Sequence, residues 1–479
     1  MAAHTIRGGG RACLALLLAV AGALVTPGTA QAAGSWHTAV EVPGLATLDA
    51  GHHASLGTVS CASAGNCSAG GNYTDASTDV QAFVVDQVNG TWHNAREMPG
   101  TATLNDTFAG TSSISCFSAG NCSAGGGYAD VSFTHFPFVA DRVSGTWHAA
   151  KEVPGIGALN TGGSAGTVSV SCRTGANCSA AGGYQDSQSF QQVFVVNRVN
   201  GTWGQAREMP GLGALNAGGD AGVEQVSCGT AGNCSAAGAY TDAGGHQQVF
   251  VANRVDGTWK PAAEIPGTAT LNAGGHAEPG GVSCGAALNC GAVGSYHDSA
   301  GVQRAFVANR INGAWHPAFQ APGTAALSGN HNTRLISVSC PSAGNCSAGG
   351  DYVDPSGHVQ AFVIGEVNGH WGNALQVPGS AALNAGNDAQ VKAVSCVSAG
   401  TCTAGGFYED AAGHLQAFVV DEVNGVWGSA QEVPGTGTLN TGGGAMVTSV
   451  SCRSASSCSA GGTYVDGSFH LEAFVVTKS

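Results

Sequence analysis

Apolar residues in this chain fall into short runs separated by turn residues, and one four-run pattern recurs along its whole length. A specimen copy reads Thr167-Val-Ser-Val-Ser-Cys172, Cys178-Ser-Ala-Ala-Gly-Gly-Tyr184-Gln-Asp186, Val193-Phe-Val-Val-Asn-Arg-Val199 and Thr202-Trp-Gly-Gln-Ala-Arg-Glu-Met209. Runs this short, bounded by Gly, Asn and Pro, predict four β-strands. The first two are joined by a loop between the two Cys. The third and fourth are joined by Asn200-Gly201, a strong signal for a tight hairpin. Pro210-Gly211 ends the fourth run, because Pro cannot donate to a ladder.

The copies keep a strict step. Trp36, Trp92, Trp147, Trp203, Trp259, Trp315, Trp371 and Trp427 are 56 residues apart, apart from one interval of 55. The eight Tyr, from Tyr73 to Tyr464, follow the same step. So do the pairs Cys61/Cys67, Cys116/Cys122, Cys172/Cys178, Cys228/Cys234, Cys284/Cys290, Cys340/Cys346, Cys396/Cys402 and Cys452/Cys458. Such periodicity implies one supersecondary unit repeated eight times, and a four-stranded antiparallel unit of this length is a propeller blade. Residues 33–479 begin with a fourth strand, Trp36 to Val42, and finish with a third, Glu472 to Val476. The expectation is an all-β fold: a single eight-bladed β-propeller with four antiparallel strands per blade and velcro closure by the N-terminal strand. Closure of that kind removes an open sheet edge.

The C-x5-C pair followed by Ala-Gly-Gly, as in Cys340-Pro-Ser-Ala-Gly-Asn-Cys346-Ser-Ala-Gly-Gly350, resembles the repeats of secreted actinobacterial β-propeller proteins. The resemblance spans all eight units and implies a fold and an extracellular location, not one activity. The turn before each Trp has a faint likeness to an Asp box. Asp86-Gln-Val-Asn-Gly-Thr-Trp92 carries its acid too early for that motif, so sialidase chemistry is not inherited.

Residues 1–32 read as a secretory signal peptide: Arg7 and Arg11, an apolar run from Cys13 to Val25, then Ala30-Gln31-Ala32. A secreted, extracellular monomer is expected, with the sixteen paired Cys oxidised. Local bridges that clamp the loop within each C-x5-C are the first expectation, and pairing between blades is the alternative. A net charge of -14 without basic clusters argues against nucleic acid and anionic membranes as partners. No cofactor and no metal are expected, since no His recurs beside the Cys pairs.

Repeated polar residues read first as structure. Tyr-x-Asp, from Tyr73/Asp75 to Tyr464/Asp466, suits a self-bonded Asx-turn. Glu41, Glu97, Glu152, Glu208, Glu264 and Glu432 align with Gln320 and Gln376, and Gln cannot do an acid's proton chemistry. Arg142, Arg198, Arg254 and Arg310 precede the Asn-Gly-type turns and are expected toward that face.

A single site must be written where the copies differ. The short interval falls beside Asp106 and Phe108. Phe133, His135 and Phe136 share the same blade, and Phe190 follows in the next. Together they offer a stacking platform for a sugar or an apolar protein contact. Across the ring stand His276, Glu278, Asn330, His331, Asn332 and Arg334, with His52 and His53 in the first copy. Two functions remain open. One is a binding module or scaffold that recognises a glycan or extracellular protein partner through the loop-rich face, where the Tyr-x-Asp loops and the long loops from Pro-Gly to Leu-Asn are expected. The other is a polysaccharide-active hydrolase or lyase there, for which Asp106, Asp220, Glu278 and Asp388 are the non-repeating acids; no catalytic residue is assigned.

Overall fold

The computed structural model describes residues 34–479, so the signal-peptide segment lies outside the described residues. The described chain is all-β, built from repeated antiparallel sheets like propeller blades. In the specimen copy the strands are Ala165–Thr174, Asn177–Gln185, Gln191–Val199, then Thr202–Trp203 and Arg207–Glu208.

Two strand boundaries depart from the sequence expectation. The Cys loop is a tighter hairpin, because both strands run past the Cys and only Gly175 and Ala176 turn. The fourth strand is broken in the middle. There Ala206 donates its amide to the Pro154 carbonyl of the preceding copy at 2.7 Å. The same bond recurs in every copy, from Ala95 to Pro43 through Ala430 to Pro378, and also joins Ala39 to Pro434. Pro therefore does more than stop the strand, since its carbonyl ties neighbouring copies together.

Cys172 and Cys178 face each other directly across the first two strands, and all eight disulfides are local. The expected local clamp is present in every copy, and the structure adds where its sulfurs lie. Because the hairpin is so tight, Cys67, Cys122, Cys178, Cys234, Cys290, Cys346, Cys402 and Cys458 lie inside second strands and are buried. Their sulfurs face the neighbouring copy rather than a loop. Cys122 Sγ lies 3.5 Å from the Ser68 hydroxyl, Cys178 Sγ 3.6 Å from Ser123 and Cys234 Sγ 3.4 Å from Ser179. Cys290 meets Ser235 at 3.3 Å, Cys402 meets Ser347 at 3.2 Å and Cys458 meets Thr403 at 3.5 Å. Cys67 meets Ser459 of the last copy at 3.4 Å, and Cys346 alone faces a Gly, Gly291, in place of a hydroxyl. A disulfide sulfur has no proton to give, so these are contacts in which it can only accept. Each bridge thus packs between copies as well as joining two strands of its own.

The Gly two residues before each Tyr is sterically compelled. A Cβ on Gly182 would stand 1.9 Å from the Gly166 carbonyl oxygen, and its seven counterparts meet a first-strand carbonyl equally closely. Opposite Gly182 lies Phe194, whose ring fills the space that the missing side chain leaves. Phe83, Phe138, Phe194, Phe250, Phe306, Phe362, Phe418 and Phe474 are all fully buried at this register. Burial of a Phe side chain contributes roughly 1.5–3 kcal/mol, so this eight-fold Phe is the apolar centre of each copy.

The first strands lie side by side. Each Cys amide on a first strand donates to the Ser hydroxyl preceding the Cys of the neighbouring copy, as Cys228 does to Ser171 at 3.0 Å. All eight Ser-Cys pairs take part, and Cys61 of the first copy receives its acceptor from Ser451 of the last. At the chain ends Val40 pairs with Val475, Glu41 with Phe474 and Trp36 with Lys478.

The Trp residues pack between copies. Trp203 donates Nε1 to Asp141, Trp259 to Asn197 and Trp371 to Asn309. The Arg series lies here too, buried between copies rather than displayed on the Asn-Gly face. Arg142 meets Asp86 at 3.4 Å and Arg198 meets Asp141 at 3.3 Å. Lys478 takes the same position in the last copy and pairs with Asp421 at 3.0 Å.

Candidate functional site

The repeated polar residues are held by local bonds. Each Asp of Tyr-x-Asp accepts amides two and four residues ahead, as Asp186 does from Gln188 at 2.8 Å and Phe190 at 3.0 Å. Tyr128, Tyr240 and Tyr408 donate their hydroxyls to Glu152, Glu264 and Glu432. Burial first, then the adjacent carboxylate, pushes Tyr240 and Tyr408 above the usual phenol range, so both stay neutral donors. These series position loops.

The variable residues share one structural slot. Phe108, Asp220, His276 and Asp388 each precede the small buried residue near the start of a first strand, namely Ala109, Ala221, Ala277 and Ala389. Each also bridges in parallel to the third strand of the preceding copy, Phe108 to Val80 and His276 to Gln247 among them. Asn332 has the same place before Thr333 and accepts the Gln303 amide at 3.1 Å. Aligning the copies on that small residue exposes the slot in sequence.

Two residues further on lies a second series of differences: Ser55, Gly110, Gly166 and Gly222 in four copies, then Glu278, Arg334, Gln390 and Met446. Where the series is small there is a cavity of about 370 Å3, lined by Ser55, Gly57, Asn72, Phe108, Thr111 and His135 among others. The rings of Phe108 and His135 stand 6.0 Å apart at its edge. In the copy with the short interval the first strand begins at Phe108 itself and runs Phe108–Ser118, the longest among the described residues.

The remaining expected site residues are scattered. Phe133 projects into solvent, 71 % exposed, with a φ of 59°. Phe136 instead stacks on Tyr128 and packs on the core. Phe190 lies over Gly219 of the next copy. His276 bonds Glu278 at 3.0 Å, with His297 alongside. His331 contacts the Asp354 carbonyl at 2.9 Å. Arg334 is committed to Asp351 at 2.7 Å and to Gln390 at 3.3 Å. The four non-repeating acids fall on four different copies. Sequence reasoning passed over Phe469, which is 80 % exposed at the same turn position as Phe133.

A second kind of concavity repeats between copies near the Trp. Grooves of about 370 and 390 Å3 are lined by Asp141, Lys151, Arg198 and Trp203, and by Asn197, Arg207, Arg254 and Trp259. The guanidinium Nε of Arg254 is buried there without a partner.

Fold and sites together define a disulfide-clamped, propeller-like protein with repeated blades. No known family profile matches the chain, and no curated protein matches it. Among solved structures it is similar to the Hadza microbial sialidase Hz136, at 10% identity over 71% of this chain and 68% of that one, with a TM-score of 0.37. It is also similar to a Dyadobacter fermentans protein of unknown function, at 9% identity over 94% and 100%, TM-score 0.41. A PL25 ulvan lyase aligns at 10% identity over 78% and 90%, TM-score 0.41. Alignments this loose transfer neither a residue nor an activity.

Proposed function

We propose that the chain is a secreted, single eight-bladed propeller, closed by its N-terminal strand, that binds a glycan at the mouth of the loop-rich face. The observation carrying this reading is the cavity beside Phe108 and His135. Its lining offers an aromatic face, an imidazole, hydroxyls and the Asn72 carboxamide over a floor of Gly. Sugars are held by such a combination of ring stacking and neutral hydrogen bonds. Glu278, Arg334 and Gln390 give three of the other four copies a polar residue at the same level. Eight local disulfides suit an oxidising compartment. Among the described residues no helix is long and apolar enough to cross a membrane.

The recurring Trp-lined grooves favour a second reading, multivalent glycan binding around the rim, in which weak equivalent sites gain avidity. A glycan array probed with wild-type protein, Phe108→Ala and Trp259→Phe separates the two. Loss of binding only in Phe108→Ala supports the mouth, and loss only in Trp259→Phe supports the rim. Retention by both variants, or no bound glycan, removes the proposal.

A further inference from the structure

The junction of the first and last copies carries acids where most junctions carry amides, while two others carry Asn160 with Phe136 and Ser328 with Arg304. Between neighbouring copies, an Asn after the short Pro-Gly helix usually donates to a Gln of the preceding third strand: Asn216 to Gln192, Asn272 to Gln248, Asn384 to Gln360 and Asn440 to Gln416. Where the first and last copies meet, the corresponding residues are Asp49 and Glu472. Two carboxylates thus replace an amide pair. Asp49 Oδ1 accepts the His53 and Thr74 amides, while its Oδ2 is buried without a partner. Glu472, 9 % exposed, likewise has an unpartnered buried Oε2.

Two imidazoles converge on the same point. His52 and His470 stack at 4.3 Å, and ligating atoms of His52, His470 and Glu472 lie within 4.8 Å of one another. His52 has a φ of 56°, at a position held by Gly163, Gly219, Gly275 and Gly443 in other copies. A His in the left-handed region costs backbone energy that Gly avoids. His470 Nδ1 lies 3.3 Å from Asp466 Oδ2. That contact fixes the ring and leaves Nε2 free, as outer carboxylates do for metal-bound His.

We propose that His52, His470 and Glu472 bind a divalent first-row metal ion, of the zinc type, that clasps the two ends of the chain. Two imidazoles and a carboxylate suit such an ion and leave a position for water. The ion neutralises the buried carboxylate at a junction crowded with Asp49 and Asp466. Exposed His52 rotates out of its stack so that each imidazole meets the ion in its ring plane.

The test is titration of metal-stripped protein with ZnCl2 by calorimetry, with bound zinc counted after desalting. One zinc per chain at micromolar or tighter affinity is expected, with a rise in melting temperature. His52→Gly and Glu472→Gln install residues found at these positions in other copies, so both should fold. Each is expected to weaken zinc binding at least tenfold while its metal-free melting temperature stays at or above wild type. Absence of stoichiometric zinc overturns the assignment, and so does equal retention by both variants.

Discussion

Glu366→Gln should stabilise the protein at alkaline pH and do little in acid. Glu366 stands in the buried slot between copies that Arg310 and Lys478 fill elsewhere, and it is 4 % exposed. Burial raises its carboxyl from 4.5 to about 7, against a smaller lowering by the Asn309 amide that it accepts at 2.5 Å. The folded protein therefore holds this proton more tightly than the unfolded chain. The stabilisation is complete below about pH 4.5 and is lost as pH rises through about 7. The full swing is about 3 kcal/mol at 1.36 kcal/mol per pH unit. Gln keeps the acceptor for Asn309 and carries no charge. Gln87 fills the same slot in the first copy and donates to Gly90 O and Thr477 Oγ1. Urea unfolding with disulfides intact, at pH 8 and pH 5, gives the difference between variant and wild type. A gain of about 2–3 kcal/mol at pH 8 that shrinks toward zero at pH 5 is expected. A difference independent of pH, or a loss at pH 8, would refute the reasoning.

Gly182→Ala should cost about 3 kcal/mol or more in urea unfolding, because its Cβ meets the Gly166 carbonyl. Gly183→Ala, whose Cβ has room, should be nearly neutral in the same assay, and Ala239 already occupies that position in the next copy. Ser171→Ala leaves the Cys228 amide without its acceptor and should cost about 1–3 kcal/mol by the same measurement. Replacing Cys172 and Cys178 with Ala should cost about 2 kcal/mol for so short a loop. Mass spectrometry of nonreduced peptides should recover only C-x5-C bridges.

The blade was legible because its marks are local. Turn signals, Cys spacing and the Trp step all act within a few residues, and a 56-residue repeat multiplies each of them. Contacts between copies were less visible. The Pro154 carbonyl that binds Ala206 has no side-chain signature, and the Ser171 hydroxyl meets Cys228 a whole repeat away. The Cys spacing foretold which sulfurs join, but not that Cys122 or Cys234 would be buried against a Ser of the copy before. Arg142 and Arg198 looked like surface charges until Asp86 and Asp141 appeared opposite them. The variable slot holding Phe108, Asp220, His276 and Asp388 was spread over unrelated residue types, and only alignment on the buried Ala brings it together. The His52, His470 and Glu472 cluster was hidden most deeply, since its members come from opposite ends of the chain.

A crystal structure of residues 33–479 with the oligosaccharide that scores highest on the array tests the central claim most directly. The account predicts eight blades in one closed ring, with a sugar ring stacked on Phe108 beside His135. Another blade number, an open ring, or sugar bound away from that mouth would contradict it.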